Sequence, residues 1–325
     1  MRFLALCFLL PLAAHADCGG RNLIDALPPD QRTALETAAN AVPFATGNIW
    51  HATKGGQDIT LIGTFHLNDP RFDQIIAAVE PTLANASALL VEAGPQEEAA
   101  LKSFIADHPE RLINQTGPTL PEVLSPEDWQ KVVTALQARN MPAFFGAKLQ
   151  PWYLTTILSI PACEFSTAAV DSGLDKRLMA MAAAKSIPVK ALETFDTILS
   201  VFDSFTSDEQ LDMLTQALDT GGAAEADMAM TVSDSYFAGT NRLFWEFSRQ
   251  QLLALPGADP AKVAREFDQI EATIITRRNR SWIPLILQAA AAKSPILVAV
   301  GALHLPGEQG VLNLLKQDGW DITPW

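Results

Sequence analysis

Two histidines in this chain follow the same local pattern. Asp58-Ile59-Thr60-Leu61-Ile62 is a short β-branched run that ends in Gly63-Thr64-Phe65-His66-Leu67, and Ile296-Leu297-Val298-Ala299-Val300 ends in Gly301-Ala302-Leu303-His304-Leu305. Each reads as a strand followed by G-x-x-H-L. Apolar runs bounded by Gly or Pro suit strands buried on both faces of a parallel sheet. Both imidazoles would then stand just beyond strand ends, where ligands collect in open α/β sheets. The glycine three residues before each histidine permits a tight turn or a close backbone approach. Two imidazoles with one carboxylate are a common ligand set for a divalent transition metal with an open position. The carboxylate at hand is Glu92, which follows the buried run Ala88-Leu89-Leu90-Val91.

The expected metal ligands are therefore His66, His304 and Glu92, with Mn, Co or Zn as the ion and Glu92 as third ligand or as general base for water. Glu193 ends another strand-like run, Ile187-Pro188-Val189-Lys190-Ala191-Leu192, and offers a second carboxylate. Either glutamate can instead cap the helix that follows it or pair with arginine. Thr276-Arg277-Arg278-Asn279-Arg280-Ser281-Trp282 is a basic cluster on a predicted helix. A solvated face is its ordinary reading, yet one arginine is available for a substrate carboxylate or a developing oxyanion. Asp171 with Asp175, and Asp196 with Asp203, read as helix-start and surface charges. His51 and His108 read as structural or exposed. Trp152, Tyr153, Phe244, Trp245 and Phe247 read as packing residues or pocket wall.

These groups need a scaffold. Asn48 to Thr53 and Asp58 to Ile62 read as a hairpin across Lys54-Gly55-Gly56-Gln57. Asp69 as N-cap and Pro70 at the first helical position open a helix whose Phe72, Ile75, Ile76, Val79 and Leu83 share one face. The strand ending at Glu92 completes a strand, helix, strand unit with parallel strands. Residues 97–140 read as mainly helical, with start signals at Leu120 to Glu122 and Ser125 to Asp128, and Met141 to Gly146 as a short strand. A helix from Gln150 to Ile160 and another after Asp171-Ser172-Gly173-Leu174-Asp175 follow. In the first half the histidine strand precedes the glutamate strand and in the second it follows, so the halves read as pseudo-repeats. Residues 195–292 read as a helical insertion capping the sheet edge, interrupted at Gly221-Gly222 and Leu255-Pro256-Gly257. A helix through Val311 and Leu315 and a last strand, Gly319 to Ile322, close the chain. The expectation is an α/β fold: one mostly parallel or mixed sheet flanked by helices, in a single domain spanning 17–325.

Met1 to Ala16 carries Arg2, an apolar core and Ala14-His15-Ala16, the pattern of a cleaved secretory signal peptide. Its core is shorter than the ~20 residues of a membrane span, and Asp17 before Cys18 argues against a lipid anchor. A periplasmic or secreted protein is expected, without stable membrane insertion. The net charge is −14 over 325 residues, and removing Arg2 makes it −15. That excess speaks against nucleic acid as a partner. Cys18 and Cys163 remain after cleavage and are expected to pair in an oxidising compartment. No H-E-x-x-H helix, G-x-S-x-G elbow, phosphate loop or cysteine-rich metal cluster occurs.

Taken together, Cys18-Gly19 with Asn22-Leu23, Gly63-Thr64-Phe65-His66, Val91-Glu92, Pro151-Trp152, Gly173-Leu174-Asp175, Leu192-Glu193-Thr194, Arg278-Asn279 with Trp282, and Gly301-Ala302-Leu303-His304 resemble the TraB/GumN family. Its eukaryotic relatives include the Tiki proteins, described as metal-dependent proteases on an erythromycin-esterase/ChaN-like fold. The resemblance implies that His66 and His304 hold the paired histidine positions, Glu92 the first acidic position, and Arg278 and Asn279 the Arg-Asn pair. The chain departs at Phe195-Asp196, where a more polar, glutamine-containing run is expected. The function expected is an exported metal-dependent hydrolase acting on a peptide or a small amide or ester, with Glu92, Glu193, Arg278 and Asn279 as its catalytic set. Its alternatives are a non-catalytic protein that sequesters a peptide signal or haem, and an enzyme-like scaffold that uses no metal.

Overall fold

A computed structural model describes residues 18–165, 172–220 and 224–325. The expected signal peptide, Asp171 and the Gly221-Gly222 interruption lie outside the described residues.

Six strands form one mixed sheet: β1 Ile49–Lys54, β2 Gln57–Thr64, β3 Leu89–Val91, β4 Val189–Ala191, β5 Ile296–Gly301 and β6 Asp321–Pro324. Their spatial order is β4-β3-β5-β2-β1-β6. The four strands β4, β3, β5 and β2 run parallel, and β1 is antiparallel to both β2 and β6. The hairpin turns on Gly55 and Gly56, with φ of 57° and 83°, values that a side chain would strain. The unit β2, helix Phe72–Asn85, β3 leaves a gap one strand wide, which β5 fills from the far end of the chain.

This order makes neighbours of the repeated motifs. The two histidine strands pair with Thr64 opposite Gly301, and the two glutamate strands pair with Val91 opposite Ala191. The halves correspond in those strands; the hairpin strand β1 belongs to the first half alone.

Alternation along β5 shows why it reads as uniformly apolar. Ile296, Val298 and Val300 face one layer, built on Trp282, Ile286 and Ala290 of helix Arg277–Ala292 and on Val311, Leu312 and Leu315. Leu297 and Ala299 face the other, with Phe72, Val79 and Leu83 of helix Phe72–Asn85 and with Leu174, Leu178 and Ala182 of helix Leu174–Ala184. Water is excluded from both sides, so the strand positions its last residue rigidly.

Residues 195–292, expected to form a helical insertion, contain no strand among the described residues. Helices Thr197–Asp203, Ser207–Thr220, Glu225–Phe237, Asn241–Leu253 and Pro260–Ile270 and the π-helical turn Glu271–Thr276 lie within this span, whereas its last helix, Arg277–Ala292, is a layer of the sheet core. Trp282, fully buried, explains the difference, since its face is needed against β-strand side chains. The earlier helices also share in the accessory core: Leu120, Val132, Leu136, Leu149, Leu154 and Ile157 pack with Leu214 of Ser207–Thr220.

Local expectations shift in three places. Met141 to Gly146 contains a helical turn, Ala143–Gly146, in place of a strand, and Gly146 lies against Leu136 where a side chain would clash. Helix Phe72–Asn85 begins after Pro70, because Asp69 accepts from the backbone and side chain of Arg71 and forms a separate turn. The last strand is Asp321–Pro324, since Gly319, with φ 87°, ends the preceding helix. Cys18 and Cys163 form a disulfide with Cα atoms 5.6 Å apart. The N-terminal segment braces helix Glu225–Phe237 through Arg21 to Asp227 and Leu23 N–H to the Thr231 hydroxyl. No helix among the described residues is long and apolar enough to cross a membrane.

Candidate functional site

Four parallel strands end at one edge of the sheet and each delivers a polar side chain there. His66 follows β2 by two residues, Glu92 follows β3 directly, and Glu193 follows β4 after Leu192. His304 ends the single 3₁₀ turn Ala302–His304 that follows β5. Glu193 N–H donates to the Glu92 carbonyl at 3.1 Å, so the two glutamates continue the β3–β4 ladder. Arg278 and Asn279 enter from the first turn of helix Arg277–Ala292.

The motif glycines serve close approach. A Cβ on Gly63 would stand 2.9 Å from Ala302 Cα, so a side chain there would push the two histidine loops apart. A Cβ on Gly301 would stand 3.2 Å from Glu92 Oε1, 3.5 Å from His304 Cδ2 and 3.6 Å from His66 Nε2. Gly301 thus leaves open the small space on which both histidines and Glu92 converge.

Arg278 ties the cluster together. Its Nε and Nη2 donate to the two oxygens of Glu193 at 2.6 and 2.9 Å, and Nη2 also donates to Glu92 Oε2 at 2.6 Å. The second oxygen of Glu92 accepts from Gly301 N–H at 2.6 Å. Trp282 donates its indole N–H to Glu193 at 2.9 Å, and its ring packs 4.5 Å from that of His304. Such mutual pairing is what buried charges require.

Each histidine is oriented from behind. Asn279, fully buried, donates from Nδ2 to the carbonyls of His304 and Gln309, which turns its Oδ1 toward His304 Nδ1 at 2.7 Å. His304 Nδ1 therefore carries the proton, and Nε2 presents its lone pair to Arg278 Nη1 at 3.3 Å. His66 Nδ1 meets the Asp175 carboxylate at 3.2 Å, which likewise leaves Nε2 unprotonated in the neutral ring.

Charge follows this geometry. Burial raises the pKa of Glu92, but His304, Arg278, His66 and the Gly301 N–H outweigh it and hold the carboxylate at about 2. Burial lowers that of His304, and the Glu92 charge only partly offsets this, leaving it at about 4 and the ring neutral. For His66, desolvation is outweighed by the Asp175 hydrogen bond and the Glu92 charge, and the pKa rises. Its side chain is 64% exposed, so water screens part of that rise.

Of the residues singled out in the sequence, His66, Glu92, Glu193, Arg278 and His304 meet in this cluster. Asn279 joins it as a positioning residue, since it reaches the edge only through His304. Asp175, read as a surface charge, is the partner of His66, and its place in the Gly173-Leu174-Asp175 segment was the available signal. Gly173 explains that contact: a Cβ there would stand 2.4 Å from the His66 carbonyl oxygen. His51 contacts Thr60 and Asp58, and His108 contacts Glu110 and Phe104; neither touches the cluster. Asp203 pairs with Arg111, and Asp196 accepts from Thr194. Trp152 stacks on Phe202, while Trp245 and Phe247 serve packing.

As the side chains stand, no three His, Cys, Asp or Glu among the described residues are grouped to hold a metal ion. Arg278, a cation, already contacts both Glu92 and His304. The donor chemistry nonetheless fits a divalent ion. Two imidazoles pinned through Nδ1 and one ionised carboxylate border the cradle at Gly301; for an ion to enter, Arg278 must release His304 Nε2 and Glu92, and His66, whose pKa is raised to about 9, must give up its second ring proton.

A family model described as the TraB/PrgY/gumN family matches residues 48–324. No curated protein matches the chain.

Proposed function

We propose, from the premise that this chain belongs to the TraB/PrgY/gumN family, that the strand-edge cluster is the active site of a metal-dependent hydrolase of peptides or small amides and esters. The observation that carries this reading is the convergence of His66 Nε2, Glu92 Oε1 and the His304 ring on the space left by Gly301. His66, His304 and Glu92 would hold Mn, Co or Zn. The ion, when bound, supplies Lewis acidity toward a carbonyl and toward water.

The protein's own groups divide the remaining work. Glu92, held near pKa 2, is a poor proton acceptor at neutral pH and a good anionic ligand. Glu193 fixes the guanidinium of Arg278 through two hydrogen bonds. Arg278 Nη1, on the side facing His304, is thereby oriented to donate to a carbonyl oxygen as it gains negative charge. Asp175 and Asn279 hold the two rings at fixed tautomers. Export belongs to the same proposal: residues 1–16 read as a signal, and the Cys18–Cys163 disulfide suits an oxidising compartment.

A metal-free hydrolase is the second reading, favoured by Arg278 standing where a metal's charge would be wanted. Haem is less well matched, because the groove beside the cluster is lined chiefly by hydroxyls and arginine. The test measures metal content and affinity of protein purified without chelators, together with cleavage of a peptide library. Stoichiometric Mn, Co or Zn, lost in His66→Ala and in His304→Ala together with cleavage, is the expected result. Cleavage that persists without bound metal selects the metal-free reading, and absence of both metal and cleavage ends the hydrolase proposal.

A further inference from the structure

Beside the cluster, a groove of about 410 Å³ runs between two helical stripes. One wall carries Thr197 and Ser200 of helix Thr197–Asp203; the other carries Thr273, Arg277 and Ser281, spaced four residues apart along the rod formed by Glu271–Thr276 and Arg277–Ala292. Its inner end is the Glu193–Arg278 pair, so whatever occupies it lies directly against the proposed reaction centre. Rods with a π-helical turn often mark functional sites, because the extra residue re-aims the side chains beyond it.

The chemistry of this lining is selective. Arg278 is committed to Glu92 and Glu193, and Glu193 is in turn covered by Arg278 and Trp282. The hydroxyls of Thr194 and Ser281 donate to Asp196 and to the Arg278 carbonyl. The Thr197 hydroxyl, 3.5 Å from that of Thr194, is drawn to it, so the donors left facing the groove are the hydroxyls of Ser200 and Thr273 and the guanidinium of Arg277. Arg277 is exposed and forms no ion pair among the described residues, in a chain of net charge −14 whose other groove arginine is saturated with carboxylates. An unpaired planar fork beside hydroxyl donors suits a carboxylate, and the volume admits a side chain or a chain terminus.

We propose that this groove is a specificity subsite in which Arg277, with Ser200 and Thr273, binds a carboxylate carried by the substrate next to the bond that is cleaved. It rests on the hydrolase reading for the word substrate, whereas the binding preference stands or falls alone. The carboxylate comes from an acidic side chain or from a peptide C-terminus.

Equilibrium binding is therefore the test. Acetyl-alanyl-glutamyl-alanine amide is compared with its glutamine analogue, and acetyl-trialanine free acid with its amide, by calorimetry on the mature protein and on Arg277→Gln. Arg280→Gln, an exposed change on the same helix, controls for net charge. The acidic member of at least one pair is expected to bind about tenfold tighter to the wild type and to Arg280→Gln, as a charge-assisted hydrogen bond would give, with the gap closed in Arg277→Gln. The pair that shows it identifies the carboxylate's source. Equal binding of both members, no binding of either, or a preference that survives Arg277→Gln overturns the subsite. Acid-selective binding without cleavage of any peptide would leave the subsite standing and remove the hydrolase reading.

Discussion

The guanidinium of Arg278 lies 3.3 Å from Nε2 of His304, on the lone pair that a metal ion would need. The same arginine neutralises Glu92 and Glu193, so a resident cation and an arriving one compete for one set of donors. Replacing Arg278 with glutamine leaves two carboxylates buried against each other, which should lower the stability of metal-free protein by about 3–5 kcal/mol. Mn²⁺ or Zn²⁺ should then raise the melting temperature of Arg278→Gln more than that of the wild type, because binding to the native state alone stabilises it by mass action. Thermal scans with and without the ions decide the matter. An equal metal-induced shift in both proteins would mean that Arg278 and the ion do not share donors.

Asn279 reaches the edge only through His304, and its two kinds of hydrogen bond can be separated. In Asn279→Ala the His304 ring loses its Nδ1 partner and two buried carbonyls lose their donor, at a cost of about 1–3 kcal/mol for each polar group left unpaired. Asn279→Asp keeps an acceptor for Nδ1 but not the two donations. Both should be destabilised, while metal affinity, set by the ring's orientation, should fall roughly 10–100-fold in the alanine variant and less in the aspartate. Calorimetric metal titration beside chemical denaturation reads the two effects apart. Equal losses of affinity in the two variants would assign Asn279 to folding alone.

Much of this site is legible in the sequence. G-x-x-H occurs at the ends of two short, mainly apolar β-branched runs of the kind that suits buried parallel strands, which points His66 and His304 to one sheet edge. Glu92 and Glu193 also stand at strand ends, but the sequence left open whether either would simply pair with arginine, and both do pair with Arg278. What could not be read was the neighbour relation: that β5 slots between β2 and β3 is a tertiary fact, and it alone brings His304 between Glu92 and His66. Asp175 was missed because an acid in a first helical turn is ordinarily explained by the helix itself. Met141 to Gly146 misled because a short apolar run with two phenylalanines has strand propensity, whereas Pro142 and the tight contact of Gly146 with Leu136 select a turn.

The loop after His66 is fastened to the helical insertion by charge. Asp69, 12% exposed, accepts from Arg71 and from the Ser233 hydroxyl, and Arg71 also reaches Asp234. Burial works to raise the pKa of Asp69, but the Arg71 and Ser233 hydrogen bonds outweigh it and depress it. A depressed carboxylate stabilises the fold above its unfolded pKa of about 3.9 and loses that contribution as pH falls through the lower folded value. Asp69→Asn should thus cost about 1–3 kcal/mol at pH 7, with the gap to wild type narrowing below pH about 4. Urea denaturation at pH 7, 4 and 3 measures it; a gap of constant size across that range would show that the charge of Asp69 contributes nothing.

The two motif glycines should respond to alanine in opposite ways. At Gly63 a Cβ would meet Ala302 Cα at 2.9 Å, backbone of the 3₁₀ turn that directly follows the last β2–β5 pair, so Gly63→Ala should destabilise by about 1–3 kcal/mol through overpacking. At Gly301 φ is −50° and ψ 137°, ordinary values for alanine, and the nearest atoms are side-chain atoms of Glu92, His304 and His66 at 3.2–3.6 Å. Those side chains can give by a few tenths of an ångström. Gly301→Ala should therefore fold with nearly wild-type stability while its methyl group occupies the space on which the donors converge. Metal affinity should drop at least about tenfold, and with it any peptide cleavage, since displacing ligands by even about 1 Å is costly to a preorganised site. Denaturation curves and metal titrations on the two variants test this pair. If Gly301→Ala binds metal as the wild type does, the ion does not sit in the cradle at Gly301, whatever else the cluster binds.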